Sequence, residues 1–132
     1  MKQKLFKAAL KAQEHAHAPH SKLKVGTALM GDDGNVYTGC NVEFSVYGAG
    51  TCAERGAVAA LVNGGAGKFT ELVIVTDTLK PCPPCGICRQ VLIEFAQNPN
   101  TVQVHLAGLK GIQKTFILAE LLPHAFDETY LP

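Results

Sequence analysis

Leu5, Phe6, Ala9, Leu10 and Gln13 recur close to a 3.6-residue period across positions 2–17, while Lys2, Lys4, Lys7 and Lys11 take the other side. This pattern predicts an amphipathic helix that stops near Pro19. The period then drops to two: Leu23, Val25, Thr27 and Leu29 alternate with Lys22, Lys24, Gly26 and Ala28, as expected of a half-buried strand. Asp32-Asp33-Gly34-Asn35 reads as a turn, and positions 36–40 return as a second strand to form a hairpin. A Gly-rich loop at 48–50 leads to a helix opened by Thr51, with Ala53, Ala57, Ala60 and Leu61 on its buried side and Asn63-Gly64-Gly65 at its end. Small residues on that face imply close packing. Leu72 to Val75 is a continuous apolar run, the mark of a strand covered on both faces. Pro83 and Pro84 suit the start of a third helix, carried on by Ile87, Val91, Leu92 and Phe95. A strand at Val102, Val104 and Leu106 and a short helix near 118–122 close the pattern. The order α-β-β-α-β-α-β-(β)-α, its bracketed strand without assigned residues, predicts an α/β chain whose mixed sheet is sandwiched by helices.

With 132 residues, the chain is read as one domain able to bury its own core. Hydrophobic residues at 47% and charged residues at 17% place it among globular proteins, and a net charge of +1 leaves no footprint for nucleic acid. No stretch is long enough to span a membrane, and the Lys-studded start does not resemble a signal peptide. Five unevenly clustered cysteines fit metal ligation in a reducing compartment better than a disulfide framework, so a cytoplasmic location is expected. His15, His17 and His20 have no cysteine or carboxylate cluster beside them and are read as surface residues.

The candidate chemistry lies in two blocks, Thr51-Cys52-Ala53-Glu54-Arg55 and Pro84-Cys85-Gly86-Ile87-Cys88-Arg89. Cys85 and Cys88 are three apart at a helix start and share a face, and Cys52 offers a third thiolate. Three ligands leave the fourth position of a tetrahedral zinc site open, as in catalytic rather than structural sites. Zinc lowers the pKa of bound water to about 7, and a carboxylate can carry the proton onward. Glu54 is the candidate for that role; its bland alternative is a capping box with Thr51. Three thiolates leave the metal a poor Lewis acid. The two helix N-termini and hydrogen bonds from Arg55 and Arg89 to sulfur are expected to withdraw charge.

Cys52-Ala53-Glu54 with Pro84-Cys85-Gly86-Ile87-Cys88 resembles the three-cysteine form of the zinc deaminase signature. More closely, the chain is similar to the small homotetrameric cytidine deaminases. The likeness runs nearly end to end, through Val25-Gly26-Thr27-Ala28-Leu29, Gly39-Cys40-Asn41-Val42-Glu43 and Glu120-Leu121-Leu122-Pro123. The resemblance implies a three-layer α-β-α fold with a mixed five-stranded sheet. It also implies one catalytic domain over 1–132, one zinc per chain, and conversion of cytidine or deoxycytidine to the uridine form with release of ammonia. It further implies that Asn41 and Glu43 hold the ribose hydroxyls, that the Ala53 backbone holds the base, and that Tyr47 and Phe126 reach a neighbouring subunit's site. Leu23 stands where the family usually has an aromatic residue, His20 where it has Tyr and Phe44 where it has Asn. These departures leave open a modified cytosine nucleoside or a nucleoside antibiotic such as blasticidin S as substrate.

Three rival readings remain. A structural four-cysteine zinc module would recruit Cys82 or Cys40, and a redox protein would pair Cys82 with Cys85 or Cys85 with Cys88. Neither uses Glu54, Arg55, Asn41 or Glu43. A nucleic-acid-editing deaminase would need a basic stripe and an aromatic platform that this chain lacks.

Overall fold

In the computed structural model, which describes residues 1–132, helix α1 (Lys2–Glu14) leads into the hairpin β1 (Val25–Gly31) and β2 (Val36–Cys40). Helix α2 (Ala53–Asn63), strand β3 (Phe69–Thr76), helix α3 (Gly86–Phe95), strands β4 (Gln103–Gly108) and β5 (Gly111–Ile117) and the short helix α4 (Leu118–Leu121) follow. The five strands form one sheet in the order β2-β1-β3-β4-β5. Only β3 and β4 run parallel; every other neighbouring pair is antiparallel. This is the mixed sheet and three-layer arrangement that the element order predicts.

Helix α1 covers one face. Its Leu5 and Ala9 pack with Ala28, Met30, Val73, Val75 and Ala107. On the other face Ala57, Val58 and Leu61 of α2, Leu92 and Ile93 of α3 and Leu118 and Leu121 of α4 close over Leu29, Leu72, Ile74 and Leu106. Two glycines let the layers approach this closely. A Cβ at Gly26 would lie 2.2 Å from the Ala9 carbonyl oxygen, and one at Gly39 would lie 2.4 Å from the Ala57 nitrogen. Close packing of the Ala-rich helix α2, expected from its small residues, is therefore against β2.

Three details depart from the sequence reading. Helix α1 ends at Glu14 because the chain turns at His15 and His17 then bridges to Val42. Strand β1 is not half-buried: Gly26 to Gly31 are all buried, since α1 covers one side and α2 the other. Alternation of lysines ahead of the strand misled the pattern, for Lys22 and Lys24 precede its first residue. Thr51 does not open α2. It exchanges backbone hydrogen bonds with Val42 at 3.0 Å in both directions, which holds it extended, so Cys52 becomes the N-cap.

Candidate active site

Helices α2 and α3 start side by side at one end of the sheet, and both N-caps are cysteines: Cys52 and Cys85. Neither N-cap makes a side-chain capping hydrogen bond, so both thiols are left for other work. Cys88 lies within the first turn of α3, fully buried. The Sγ atoms of Cys52, Cys85 and Cys88 all lie within 4.8 Å of one another, and Cys52 and Cys85 are 3.9 Å apart. Tetrahedral zinc with Zn–S bonds of about 2.3 Å requires S···S separations of about 3.8 Å. The three sulfurs therefore fit zinc with little movement. Cys40 and Cys82 stand outside the group, which removes the four-cysteine reading and leaves one position open.

The electrostatics make the same point. Burial pushes the Cys88 thiol pKa far up, and the Glu54 carboxylate and Cys52 push it further. Burial also opposes ionisation of Cys85, but hydrogen bonds from the Cys88 backbone and side chain outweigh it and lower its pKa. Ionising Cys88 in this setting, buried and beside the Glu54 carboxylate, calls for a cation among the sulfurs.

Glu54, one residue beyond Ala53 in α2, is only 4% exposed. It caps nothing; its Oε1 accepts a hydrogen bond from Thr27 Oγ1 at 3.2 Å. The capping-box reading falls because Thr51 lies outside the helix. Burial raises the Glu54 pKa, while hydrogen bonds from Cys88 and Thr27 pull it the other way. Cys52 and Glu54 are brought to one cavity although two residues apart, because the first is the extended N-cap and the second lies in the opening turn.

That cavity encloses about 360 Å³. Leu23, Asn41, Glu43, Cys52, Ala53, Glu54 and Cys85 line it, together with Ser21, Ile74, Thr76 and Cys82. No lysine, arginine or aromatic residue does. Asn41 is already engaged: its Oδ1 accepts from the Val25 N–H at 2.9 Å and its Nδ2 donates to the Leu23 carbonyl at 2.7 Å. Glu43 accepts from the His20 and Ser21 N–H groups, each at 3.0 Å, and from the Ser21 hydroxyl. Those bonds, the Ser21 hydroxyl first, lower its pKa. Each residue keeps spare hydrogen-bonding capacity toward the cavity.

Arg55 Nη2 donates to Cys52 Sγ at 3.9 Å and to the Gly50 carbonyl at 3.3 Å. Its buried Nε has no partner within the chain. Arg89, expected at a sulfur, reaches none. Its Nε donates to the Pro84 carbonyl and its Nη1 to the Leu121 carbonyl, both at 2.8 Å. Tyr47 and Phe126 stay out of the cavity of their own chain, 91% and 56% exposed, and Phe126 stacks on Tyr130 with ring centroids 5.7 Å apart. His15, His17 and His20 are exposed, as expected. Sequence reasoning gave Thr27 only a packing role and gave Cys82 a part only in the rival zinc-module and redox readings, not a place on the cavity wall. The one available signal was a hydroxyl on the inward face of an apolar strand.

Residues 1–105 match the family described as the cytidine and deoxycytidylate deaminase zinc-binding region. The chain is 44% identical to a cytidine deaminase of Sporosarcina psychrophila, over 96% of this chain and 91% of that one. It is 41% identical to a cytidine deaminase of Halalkalibacterium halodurans, over 95% and 93%. A crystal structure of cytidine deaminase from Burkholderia pseudomallei superposes with a TM-score of 0.87 at 41% identity, covering 96% of this chain and 99% of that one. The cytidine deaminase structure from Mycobacterium tuberculosis gives 0.80 at 36%, covering 96% and 97%. With its sulfurs at zinc spacing beside a buried glutamate, the chain belongs to the cytidine and deoxycytidylate deaminase family.

Proposed function

We infer that this protein, with residues 1–132 acting as one catalytic unit, hydrolyses cytidine and deoxycytidine to uridine and deoxyuridine with release of ammonia. Its products fit pyrimidine salvage. The observation that carries this reading is the trio of sulfurs at tetrahedral spacing beside the buried carboxylate of Glu54, on the wall of a cavity sized for a nucleoside. Cys52, Cys85 and Cys88 hold one zinc, which supplies a water acidic enough to serve as nucleophile at neutral pH. Glu54 accepts a proton from the water and places it on the ring nitrogen, which makes the neighbouring carbon accept attack. A second proton then goes through Glu54 to the exocyclic amine, which leaves as ammonia. Arg55 and the two helix N-termini offset the charge of the thiolates.

The family includes enzymes for a nucleoside and for a nucleotide. A cavity lined by Glu43 and Glu54 and by no lysine or arginine favours the uncharged nucleoside over a 5′-phosphate. The spare capacity of Asn41 and Glu43 holds the ribose hydroxyls, and the Ala53 backbone holds the base. Leu23 takes the place of a ring against the base, which widens the range of bases the site accepts. The test is zinc content together with ultraviolet loss of cytidine, deoxycytidine, deoxycytidylate, 5-substituted analogues and blasticidin S. One zinc per chain and fast loss of the two nucleosides is the expected result. Preference for deoxycytidylate, or an intact cytidine peak with zinc bound, overturns the reading.

The chain assembles as a homotetramer with shared sites. What supports this is a cavity without a single aromatic wall and, on the same molecule, exposed Phe44, Tyr47 and Phe126. Tyr47 and Phe126 of one subunit complete a neighbour's pocket. Inactive Glu54→Gln chains mixed with inactive Phe126→Ala chains under exchange conditions then regain activity, because some sites recover both groups. Mixed oligomers as dead as their parents would assign each pocket to one chain.

A further inference from the structure

Glu54 must do more than be present. A carboxylate that moves a proton between two partners has to offer one oxygen in a set place, and a glutamate has three rotatable bonds with which to lose it. The structure supplies a fixed point. Thr27 lies in β1, inside the sheet, with Gly39 of β2 opposite it on one side and Ile74 of β3 on the other. It is completely buried, and its hydroxyl has one partner, Oε1 of Glu54. A β-branched side chain on a central strand is stiff at its first torsion, so the hydroxyl hardly moves. Nothing in strand packing calls for a hydroxyl there. The neighbouring positions on the same face of the strand, Val25 and Leu29, are apolar and pack with the core.

Resting on the deaminase reading above, we propose that Thr27 is a positioning residue for Glu54. It holds Oε1 by a hydrogen bond and so leaves Oε2 to carry the proton between water and the base. The alternative is that Thr27 is a core residue whose hydroxyl has simply found the nearest acceptor. The two differ in one respect. A packing role is kept by valine, which has the same shape, whereas a positioning role is lost with the hydroxyl.

The experiment uses the zinc-loaded protein with Thr27→Val, Thr27→Ser and Thr27→Ala, measuring zinc content, kcat and KM for cytidine. Each substitution is also made on top of Glu54→Gln. A hydrogen bond to a charged group is worth enough to change kcat by about tenfold or more. Thr27→Val is expected to lower kcat by about that factor with zinc content and KM unchanged, and Thr27→Ser to restore most of it. On the Glu54→Gln background, Thr27→Val is expected to cost nothing further, because Thr27 acts only through the carboxylate. Normal kcat in Thr27→Val, no rescue by serine, or the same loss repeated on the Glu54→Gln background overturns the proposal. If valine and alanine both fail to fold or lose zinc while serine does not, the residue serves the fold and the proposal is equally overturned. Failure of the deaminase reading looks different: the unaltered protein, zinc-loaded, leaves cytidine intact, or Glu54→Gln turns over normally.

Discussion

The starts of α2 and α3 look alike in the sequence and do different work in the fold. Each begins at a cysteine N-cap in extended conformation, with φ −72° and ψ 155° at Cys52 and φ −69° and ψ 169° at Cys85. Each carries an arginine soon afterwards. Counting from the caps separates them. Three residues along a helix returns close to the same face. In α2 that place is Arg55, which reaches back to Cys52 Sγ. In α3 it is taken by Cys88, a ligand. Arg89 comes one residue later, is rotated by about 100°, and bonds the Pro84 and Leu121 carbonyls instead. One helix start therefore delivers one sulfur of the trio, a buried carboxylate and a cation. The other delivers two ligands and ties the ligand loop to α4. Distance from the cap, more than nearness to a cysteine, decides what an arginine does here.

The sharpest way to break the comparison is at the second residue of each helix, Glu54 in α2 and the 63%-exposed Ile87 in α3. Glu54→Gln keeps the shape and should leave a folded, zinc-loaded protein whose kcat has dropped by at least about two orders of magnitude. Turnover near normal, read by ultraviolet loss of cytidine, would make the start of α2 a metal anchor and nothing more.

A smaller contrast is expected between the arginines. Arg55→Gln removes a donor to sulfur and should weaken zinc binding about 10- to 100-fold in a chelator competition, the usual cost of losing a partner to a metal ligand. Arg89→Gln should leave zinc affinity alone and cost about 1–2 kcal/mol in urea denaturation, because two backbone carbonyls lose a charged donor. Equal zinc loss in both variants would erase the distinction drawn from the counting. The smallest effect is at Thr51. With no capping bond to lose, Thr51→Ala should change stability by less than about 0.5 kcal/mol, where loss of a true cap typically costs about 1. A full cap-sized loss in the same denaturation assay would move the start of α2 back by one residue.

Much of the molecule could be read in advance, and for local reasons. The period of Leu5, Phe6, Ala9 and Leu10 marks α1, the Asp32-Asp33-Gly34-Asn35 turn marks the β1–β2 hairpin, and the apolar run 72–75 marks β3. Cys85 and Cys88 sit together because a helix start puts them there, whatever surrounds it. What failed were inferences about surroundings. Lysines on the approach to β1 suggested an exposed face, but the strand itself is covered by α1 and α2. Thr51 and Glu54 have the spacing of a capping box, but pairing of Thr51 with Val42 holds it extended.

The chain by itself determined the element order, the three sulfur ligands and the glutamate among them, because residue type and short spacing suffice for these. Only the tertiary structure decided which arginine meets a thiol, that Asn41 already spends two hydrogen bonds on backbone, and that Thr27 bonds Glu54 across 27 positions of sequence. It also put Cys82 in the cavity wall but outside the ligand group. Spacing along a helix or strand is set by local backbone geometry, so it survives in the sequence. Contacts between a central strand and a helix that crosses it depend on how the layers close, and no local pattern records that closure.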